Sequence, residues 1–84
     1  MEKKEIGKIA HFYSKINVAV VELTDSLKVG DKISIEGQDK AVEQTVNSMQ
    51  IEHEQIQEAK AGQAIGLKVA DRVHEGNKVY KVVE

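Results

Sequence analysis

The sequence contains no cysteine and no proline, and only 4% of its residues are aromatic. Without cysteine the chain forms neither disulfides nor thiolate metal sites, a composition that fits a reducing cytosol. Without proline, the turns must be made by Gly, Asn, Asp and Ser. No apolar run has the length of a signal peptide or of a membrane span. We therefore expect a cytoplasmic protein that does not bind membranes.

A strong excess of either charge is also missing. The chain has 84 residues, with 12 basic and 14 acidic side chains and a net charge of -2. A chain of this length has room for one hydrophobic core, so residues 1–84 are expected to form a single domain. The near balance of charge gives no overall attraction to nucleic acid, so any such binding must use a local patch.

The stretch Leu27–Gly37 is the clearest indication of fold class. Gly30 can adopt the positive φ of a tight turn, and Asp31 can bond the backbone beyond it. Ile33 and Ile35 then recur at the period of a half-buried strand. Strands are predicted over Glu5–Tyr13, Val18–Leu23, Lys32–Glu36, Lys40–His53, Ala64–Val69 and Val79–Val83. Short strands separated by such turns predict an all-β barrel or sandwich.

Four local features refine this prediction. Gly7 indicates a bulge or a close backbone approach in the first strand, and Asn17 suits a hairpin turn because it tolerates the left-handed region. A shift in apolar parity in the fourth strand predicts a bulge near Ser48. The segment Glu54–Gly62 is rich in helix formers, and we expect at most one short helical turn, or a tight loop, there.

The second strand is apolar on both of its faces. Val18 and Val20 lie on one face, and the intervening positions on the other are also apolar. Only one face can meet the core of a small barrel. We therefore predict that Val18 and Val20 contact a partner protein. The alternative is that the N-terminal residues or the Glu54–Gly62 segment cover this face.

His11, Phe12, Tyr13 and Lys15 are the candidate nucleic-acid-binding residues that the local sequence indicates. Aromatic rings beside a cation are what single-stranded RNA stacks on and is held by. Nearby lysines extend this group. The alternative is that one of Phe12 and Tyr13 fills the core while the other lies at its rim, with lysines protecting a strand edge.

No pattern in the chain predicts a catalytic site, a metal site or a cofactor. His53-Glu54 begins like a zinc-protease helix, but Gln57 stands where the second histidine is required. The remaining histidines are far apart in sequence, no serine lies in a nucleophile elbow, and no pair of carboxylates is distinguished from the others. We expect a protein that is not an enzyme.

Several motifs together resemble domain 2 of the elongation factor Tu family, the small barrel that follows the GTPase domain in translation factors. The resemblance covers nearly the whole chain. Its motifs are Ile6–Ile9, the block from Val20 to Ile33 with its Leu27-Lys28-Val29-Gly30-Asp31 turn, Val46–Gln50 and Glu58–Leu67. The resemblance implies a closed six-stranded Greek-key barrel in which Gly62 shapes a turn and Gly66 allows strand packing.

The same resemblance implies contact with tRNA or the ribosome. Gln50 and His53 align with positions where the family's aminoacyl site has an acidic and a basic residue, so both are added as candidate nucleic-acid-binding residues. No Gly-rich phosphate loop is present, so no nucleotide cofactor is expected.

The sequence therefore predicts a non-enzymatic binding module related to translation or RNA, which contacts tRNA, rRNA or a protein partner. Two alternatives remain open. One is an accessory barrel subunit of a larger enzyme, because similar barrels are appended to a peptidase-like family linked to RNA modification. The other is a protein-only adaptor. Fold analogy does not choose among them.

Overall fold

The protein is described by a computed structural model that covers residues 2–37, 41–52 and 54–83. Within these ranges the secondary structure is entirely β, and the ten strands are β1 (Glu2–Tyr13), β2 (Val18–Leu23), β3 (Leu27–Lys28), β4 (Lys32–Glu36), β5 (Ala41–Thr45), β6 (Met49–Ile51), β7 (Glu54–Ile56), β8 (Glu58–Ala59), β9 (Ala64–Lys68) and β10 (Lys78–Val83). These ranges contain no helix that is long and apolar enough to span a membrane.

Eight strands form one antiparallel sheet in the order β5-β4-β10-β1-β2-β9-β6-β7, and β3 pairs with β8 in a small second sheet. The all-β prediction is confirmed. The closed six-stranded barrel is not: backbone pairing among the described strands leaves the large sheet open, with β5 and β7 at its edges. The sequence also underestimated the strand number, because several two- and three-residue strands are too short to show a periodic pattern.

The long strand β1 organises the sheet by pairing with β10 on one side and β2 on the other. Its register shifts between Glu5 and Gly7, and again between Ile9 and His11. A Cβ atom on Gly7 would lie 2.5 Å from the carbonyl oxygen of Glu22. Both expectations for Gly7, a bulge and a close backbone approach, are confirmed. Only a residue without a side chain lets β1 and β2 approach this closely.

The turns use the residues that the sequence indicates. Asn17 closes the β1–β2 hairpin with a φ of 54°, and Gly30 precedes β4 with a φ of 100°. Both values lie in the left-handed region, which asparagine and glycine tolerate best. The Asp31 carboxylate accepts a hydrogen bond of 2.9 Å from the Lys28 N–H, which stabilises the second turn.

The hydrophobic core is formed by the buried side chains of both sheets and of the segments that connect the strands. Its buried side chains are Ile6, Ile9, Ala19, Val21, Leu23, Leu27, Ile33, Ile35, Val46, Met49, Ala59, Ile65, Leu67, Val69, Val73 and Val79. In β2 the buried residues alternate with half-buried or exposed ones, which confirms that the two faces of this strand differ. Aliphatic side chains therefore supply the stabilisation that aromatic residues supply in many small domains.

The predicted fourth strand is two strands in different places. β5 pairs with β4, whereas β6 pairs with β7 and β9. Val46 and Met49 are both buried, and residues 46–48, between β5 and β6, carry the chain from one edge region of the sheet to the other. The shift in parity is real. It reflects a change of strand partner, so the prediction of one strand with a bulge near Ser48 is wrong.

Of the two expectations for Glu54–Gly62, the short helical turn is not found, and the tight turn is limited to residues 61–62. This segment forms β7 and β8, and the turn at its end places Gly62 at a φ of 90°. Ala59 is fully buried in the core, and Ile56 packs against the core. Pairing with β6 and β3, together with this burial, overrides the local helix propensity.

The edge strand β5 contacts the far side of the sheet through a side chain. The amide of Gln44 donates a 2.9 Å hydrogen bond to the carbonyl of Lys68 and accepts a 2.8 Å bond from the N–H of Ala70. One amide side chain thus makes the two bonds that a neighbouring backbone would make. Val69, between these two residues, donates to the carbonyl of Asn17 at 2.9 Å.

Candidate functional site

The strand register brings two sets of candidate residues onto one surface of the sheet. His11 pairs with Val20 and Tyr13 pairs with Val18 across β1 and β2, while the inward residue Phe12 pairs with buried Ala19. Val20 continues to Gly66 on β9 and Gly66 to Gln50 on β6. We call the surface formed by His11, Tyr13, Val18, Val20, Gly66 and Gln50 the outer face.

Exposed apolar side chains lie at the tip of the β1–β2 hairpin, at one end of the outer face. Tyr13 is 50% exposed and Ile16, in the turn beside it, is 55% exposed. Val83, at the other end of the sheet, is the third large apolar side chain of this kind among the described residues. Val18 and Val20 are half-buried. The partner-contact residues predicted from the sequence therefore lie outside the core, next to an exposed ring.

The predicted nucleic-acid-binding residues do not form a single group. The rings of His11 and Tyr13 meet edge to face, with their centroids 4.4 Å apart. Phe12 packs against the core, as the alternative for this pair of aromatic residues predicts. Lys15 is exposed in the hairpin turn. His53 lies outside the described residues.

Gly66 occupies the middle of the outer face. A Cβ atom built there would be 3.4 Å from a methyl carbon of Val18, which is ordinary van der Waals contact. The packing therefore tolerates a small side chain at this position. Gly66 thus presents only backbone between Val20 and Gln50, its neighbours on the two adjoining strands.

A cleft of about 380 Å³ continues the outer face beyond Val20. Its polar lining includes Lys8 and Glu22, which pair directly across β1 and β2, and Gln63 from the turn before β9. Glu5 and Lys78 line it as well and form an ion pair at 3.5 Å. The volume lies in the range of about 300–1,000 Å³ that is common for ligand pockets. The outer face and the cleft together form the candidate site.

The sequence did not reveal this cleft. Its residues come from β1, β2, the turn before β9 and the start of β10, which are far apart in the chain. The one available signal was the alternation in β2, which places Glu22 on the same face as Val18 and Val20.

Ion pairs concentrate away from the hairpin, around the beginning of β1 and the end of β10. Lys3 contacts Glu36 at 2.7 Å and Lys4 contacts Asp25 at 2.6 Å. The hydrogen bond from Lys3 holds the pKa of the Glu36 carboxyl below its ordinary value, and the bond to Glu36 raises the pKa of Lys3. Lys4 lowers the pKa of Asp25 in the same way. We call this charged part of the molecule the terminal region.

No metal centre is evident in the part of the chain that the structure describes, where no group of three or more His, Cys, Asp or Glu side chains is arranged to hold an ion. His11 lies 3.7 Å from Glu75, a pair that carries opposite charges only when the imidazole is protonated. The described residues of the candidate site offer apolar contact, ring contact, hydrogen bonding and charged groups of both signs.

Comparison with known proteins gives matches along nearly the whole chain. An uncharacterized protease of Methanocaldococcus jannaschii is 45% identical over 83 residues, which are 98% of this chain and 20% of that protein. A collagenase of Porphyromonas gingivalis is 30% identical over 82 residues, or 95% of this chain and 23% of the collagenase. This chain thus spans about a fifth of the length of the curated relatives it matches. No family model matches it.

Solved structures share the fold. The C-terminal domain of a Geobacillus thermoleovorans protein described as a U32 peptidase superposes with a TM-score of 0.88 at 17% identity, covering 95% of this chain and 93% of that domain. Its selenomethionine variant gives a TM-score of 0.85. At this identity the likeness establishes the fold alone.

These matches correct the predictions of family and activity. The assignment to the elongation factor Tu domain 2 family is wrong, because the relatives are named as a protease and a collagenase. The translation role loses its support with that assignment, whereas RNA binding at the candidate residues stays a prediction. The expectation of a protein that is not an enzyme is contradicted by the same names. The motifs that suggested a translation factor are turn and strand signals, which similar small β domains share.

Proposed function

We propose that this chain acts as an accessory β domain of a peptidase-like protein. The observation that carries the proposal is the 45% identity over 83 residues with a segment that makes up 20% of a protein named as a protease. The chain has its own sheet and core, as expected of a separately folding unit within a longer protein. The shared fold with a C-terminal domain of a protein described as a peptidase supports the same role.

We infer from the surface of the domain that it binds rather than cleaves. It offers exposed apolar side chains on the outer face and a cleft with charged side chains in its lining, features that suit binding of a partner or substrate. We assign cleavage of the peptide bond to the remaining part of such a protein and binding to this domain.

A domain exchange in the Porphyromonas gingivalis collagenase tests this role. The segment that aligns with this chain is deleted, or is replaced by this chain, and hydrolysis of labelled gelatin is measured. We expect the deletion to lower hydrolysis and the replacement to restore much of it. An unrelated β domain of similar size, inserted at the same place, is the matched control. Full activity of the deletion, or equal rescue by the unrelated domain, would contradict the proposal.

We also infer that the large sheet curls into a closed barrel that holds the outer face rigid. The bonds of Gln44 with the backbone of Lys68 and Ala70 support this inference, because they join the edge strand β5 to the end of β9. Amide hydrogen exchange tests it. Replacing Gln44 with alanine should increase the exchange rate of the Ala70 N–H, whereas an unchanged rate would argue for an open sheet.

A further inference from the structure

Resting on the accessory role above, we propose that the outer face and the cleft together bind an extended segment of a polypeptide chain with apolar side chains. The outer face contacts the apolar side chains of this segment, and the cleft receives its polar backbone groups or a chain end. The argument uses the spacing of the outward residues, the charges of the cleft and the position of both within the domain.

The spacing of outward residues on β2 matches an extended peptide. Val18, Val20 and Glu22 are alternate residues of one strand and point to the same face. Alternate side chains of any extended chain recur about 6.6 Å apart. The side chains of a peptide lying along β2 therefore have the same spacing as these residues. Gly66 has no side chain of its own, so the peptide can approach the sheet backbone between Val20 and Gln50. Tyr13 and Ile16 then enclose the peptide at the hairpin tip.

The cleft supplies the polar contacts that a peptide backbone requires. Lys8 offers a donor and Glu22 an acceptor. The side-chain amide nitrogen of Gln63 offers a second donor, while its oxygen accepts a 2.7 Å hydrogen bond from the Lys60 N–H. Lys8 and Glu22 face each other across two paired strands. No ion pair within 4.0 Å joins them in the described part of the chain. Both groups are thus available to a ligand that carries donors and acceptors close together, as every peptide unit does.

The charges around the site favour a peptide over a nucleic acid. The outer face and the cleft carry charges of both signs: the lysines are Lys8, Lys15, Lys68 and Lys78, and the carboxylates are Glu5, Glu22 and Glu75. RNA binding gains most of its affinity from clustered cations that neutralise phosphates. A mixed surface of this kind repels part of a polyanion while it accommodates a neutral, extended peptide.

The site is open to a partner supplied from elsewhere. Glu2 pairs with Val83, so any chain that enters or leaves the domain does so at the opposite end of β1 from Tyr13. The hairpin tip is therefore the part of the domain most distant along β1 from such a junction. This placement suits capture of a separate substrate chain.

Titration of the 84-residue chain with a short blocked peptide that alternates leucine or tyrosine with threonine tests the proposal by amide NMR. We expect saturable shifts at Val18, Val20 and Gly66. The double change Tyr13→Thr with Ile16→Thr should weaken binding by about tenfold or more. Threonine retains strand propensity, and circular dichroism checks the fold of each variant. Val83→Thr is the matched control, an exposed apolar residue at the other end of the sheet, and should bind like the parent.

Three outcomes would overturn the proposal. One is the absence of peptide-induced shifts at the outer face, or shifts that survive the double change. Another is binding of oligouridine at the same residues with a steep dependence on salt, which would assign the face to RNA. The third is concentration-dependent shifts without peptide, which would assign it to a second copy of this chain. Failure here with success of the domain exchange would leave the accessory role intact and remove only this site.

Discussion

The terminal region and the hairpin tip are at opposite ends of the strand β1, and they are stabilised by different interactions. Around the start of β1, Lys3, Lys4 and Glu5 each form an ion pair with another element. At the hairpin tip, the contacts are the backbone bond from Val69 to Asn17 and the adjacent amide bonds of Gln44. One end presents paired charges to solvent, and the other presents exposed apolar side chains.

This difference indicates where a small domain can place a binding surface. Exposed ion pairs add little to stability, but they keep a strand edge soluble and discourage unspecific association. Exposed apolar side chains lower solubility, and larger patches of them occur mainly at binding sites. The following predictions test the contrast between the two regions, beginning with the largest expected effect.

Glycine-to-alanine changes at Gly7 and Gly66 should differ sharply. Gly7→Ala places a Cβ atom 2.5 Å from the Glu22 carbonyl, and we expect a loss of about 1–3 kcal/mol in the free energy of unfolding. Gly66→Ala makes only ordinary contacts, so its effect should stay within about 0.5 kcal/mol. Urea denaturation of both variants measures the difference. Equal losses would mean that β1 and β2 are not held together as described.

Removal of the Gln44 amide should destabilise the hairpin region. Gln44→Ala deletes two hydrogen bonds to backbone groups, which corresponds to about 1–2 kcal/mol in the free energy of unfolding. Gln55, on the opposite edge strand β7, has no described hydrogen bond of its side chain, so Gln55→Ala is the control and should be nearly neutral. Thermal unfolding measures both variants. A neutral Gln44→Ala would show that solvent replaces these bonds.

Acid should weaken the terminal region through its carboxylates. Because Lys3 lowers the pKa of Glu36, their pair contributes stability above the ordinary glutamate pKa of about 4.3. This contribution is lost as the pH falls through the lowered pKa. The hydrogen bond with Lys4 lowers the pKa of Asp25, so this pair also loses its contribution to stability in acid. At alkaline pH the pair depends on the charge of Lys3, whose pKa is raised. The stability that the charged Lys3 adds is fully present below the ordinary lysine pKa of about 10.4. It is lost as the pH rises through the raised pKa.

The matched variant for this pH dependence is Lys3→Gln. It should show a smaller drop in melting temperature than the parent between about pH 7 and about pH 2, because the pKa of Glu36 returns toward its ordinary value. An identical drop in both proteins would show that this pair does not contribute to acid sensitivity.

A charge on the outer face should have the smallest effect on folding. Val20→Lys places an ammonium group on a half-buried outward position, where the long side chain can reach solvent, and should change the free energy of unfolding by no more than about 1 kcal/mol. Ala19→Lys, one residue away in the core, is the contrasting control and should prevent folding. Circular dichroism distinguishes the two. Unfolding of Val20→Lys would place this face in the core.

Much of the fold was accessible from local sequence, whereas the candidate site was accessible only in part. Alternation in β2 correctly separated Val18 and Val20 from the core, and Asn17 and Gly30 correctly located turns. The segment Glu54–Gly62 was misassigned because helix propensity is local and weak compared with the burial of Ala59. The family was misassigned because glycine turns and alternating strands recur in unrelated small β domains.

By itself, the sequence determined an all-β domain with a core of aliphatic residues, since side-chain period and turn chemistry depend on neighbours along the chain. The tertiary structure alone decided that residues 46–48 link two distant strands and that His11, Val20, Gly66 and Gln50 lie in one row. Strand register results from long-range pairing between segments far apart in the chain. No local pattern encodes which strands become neighbours.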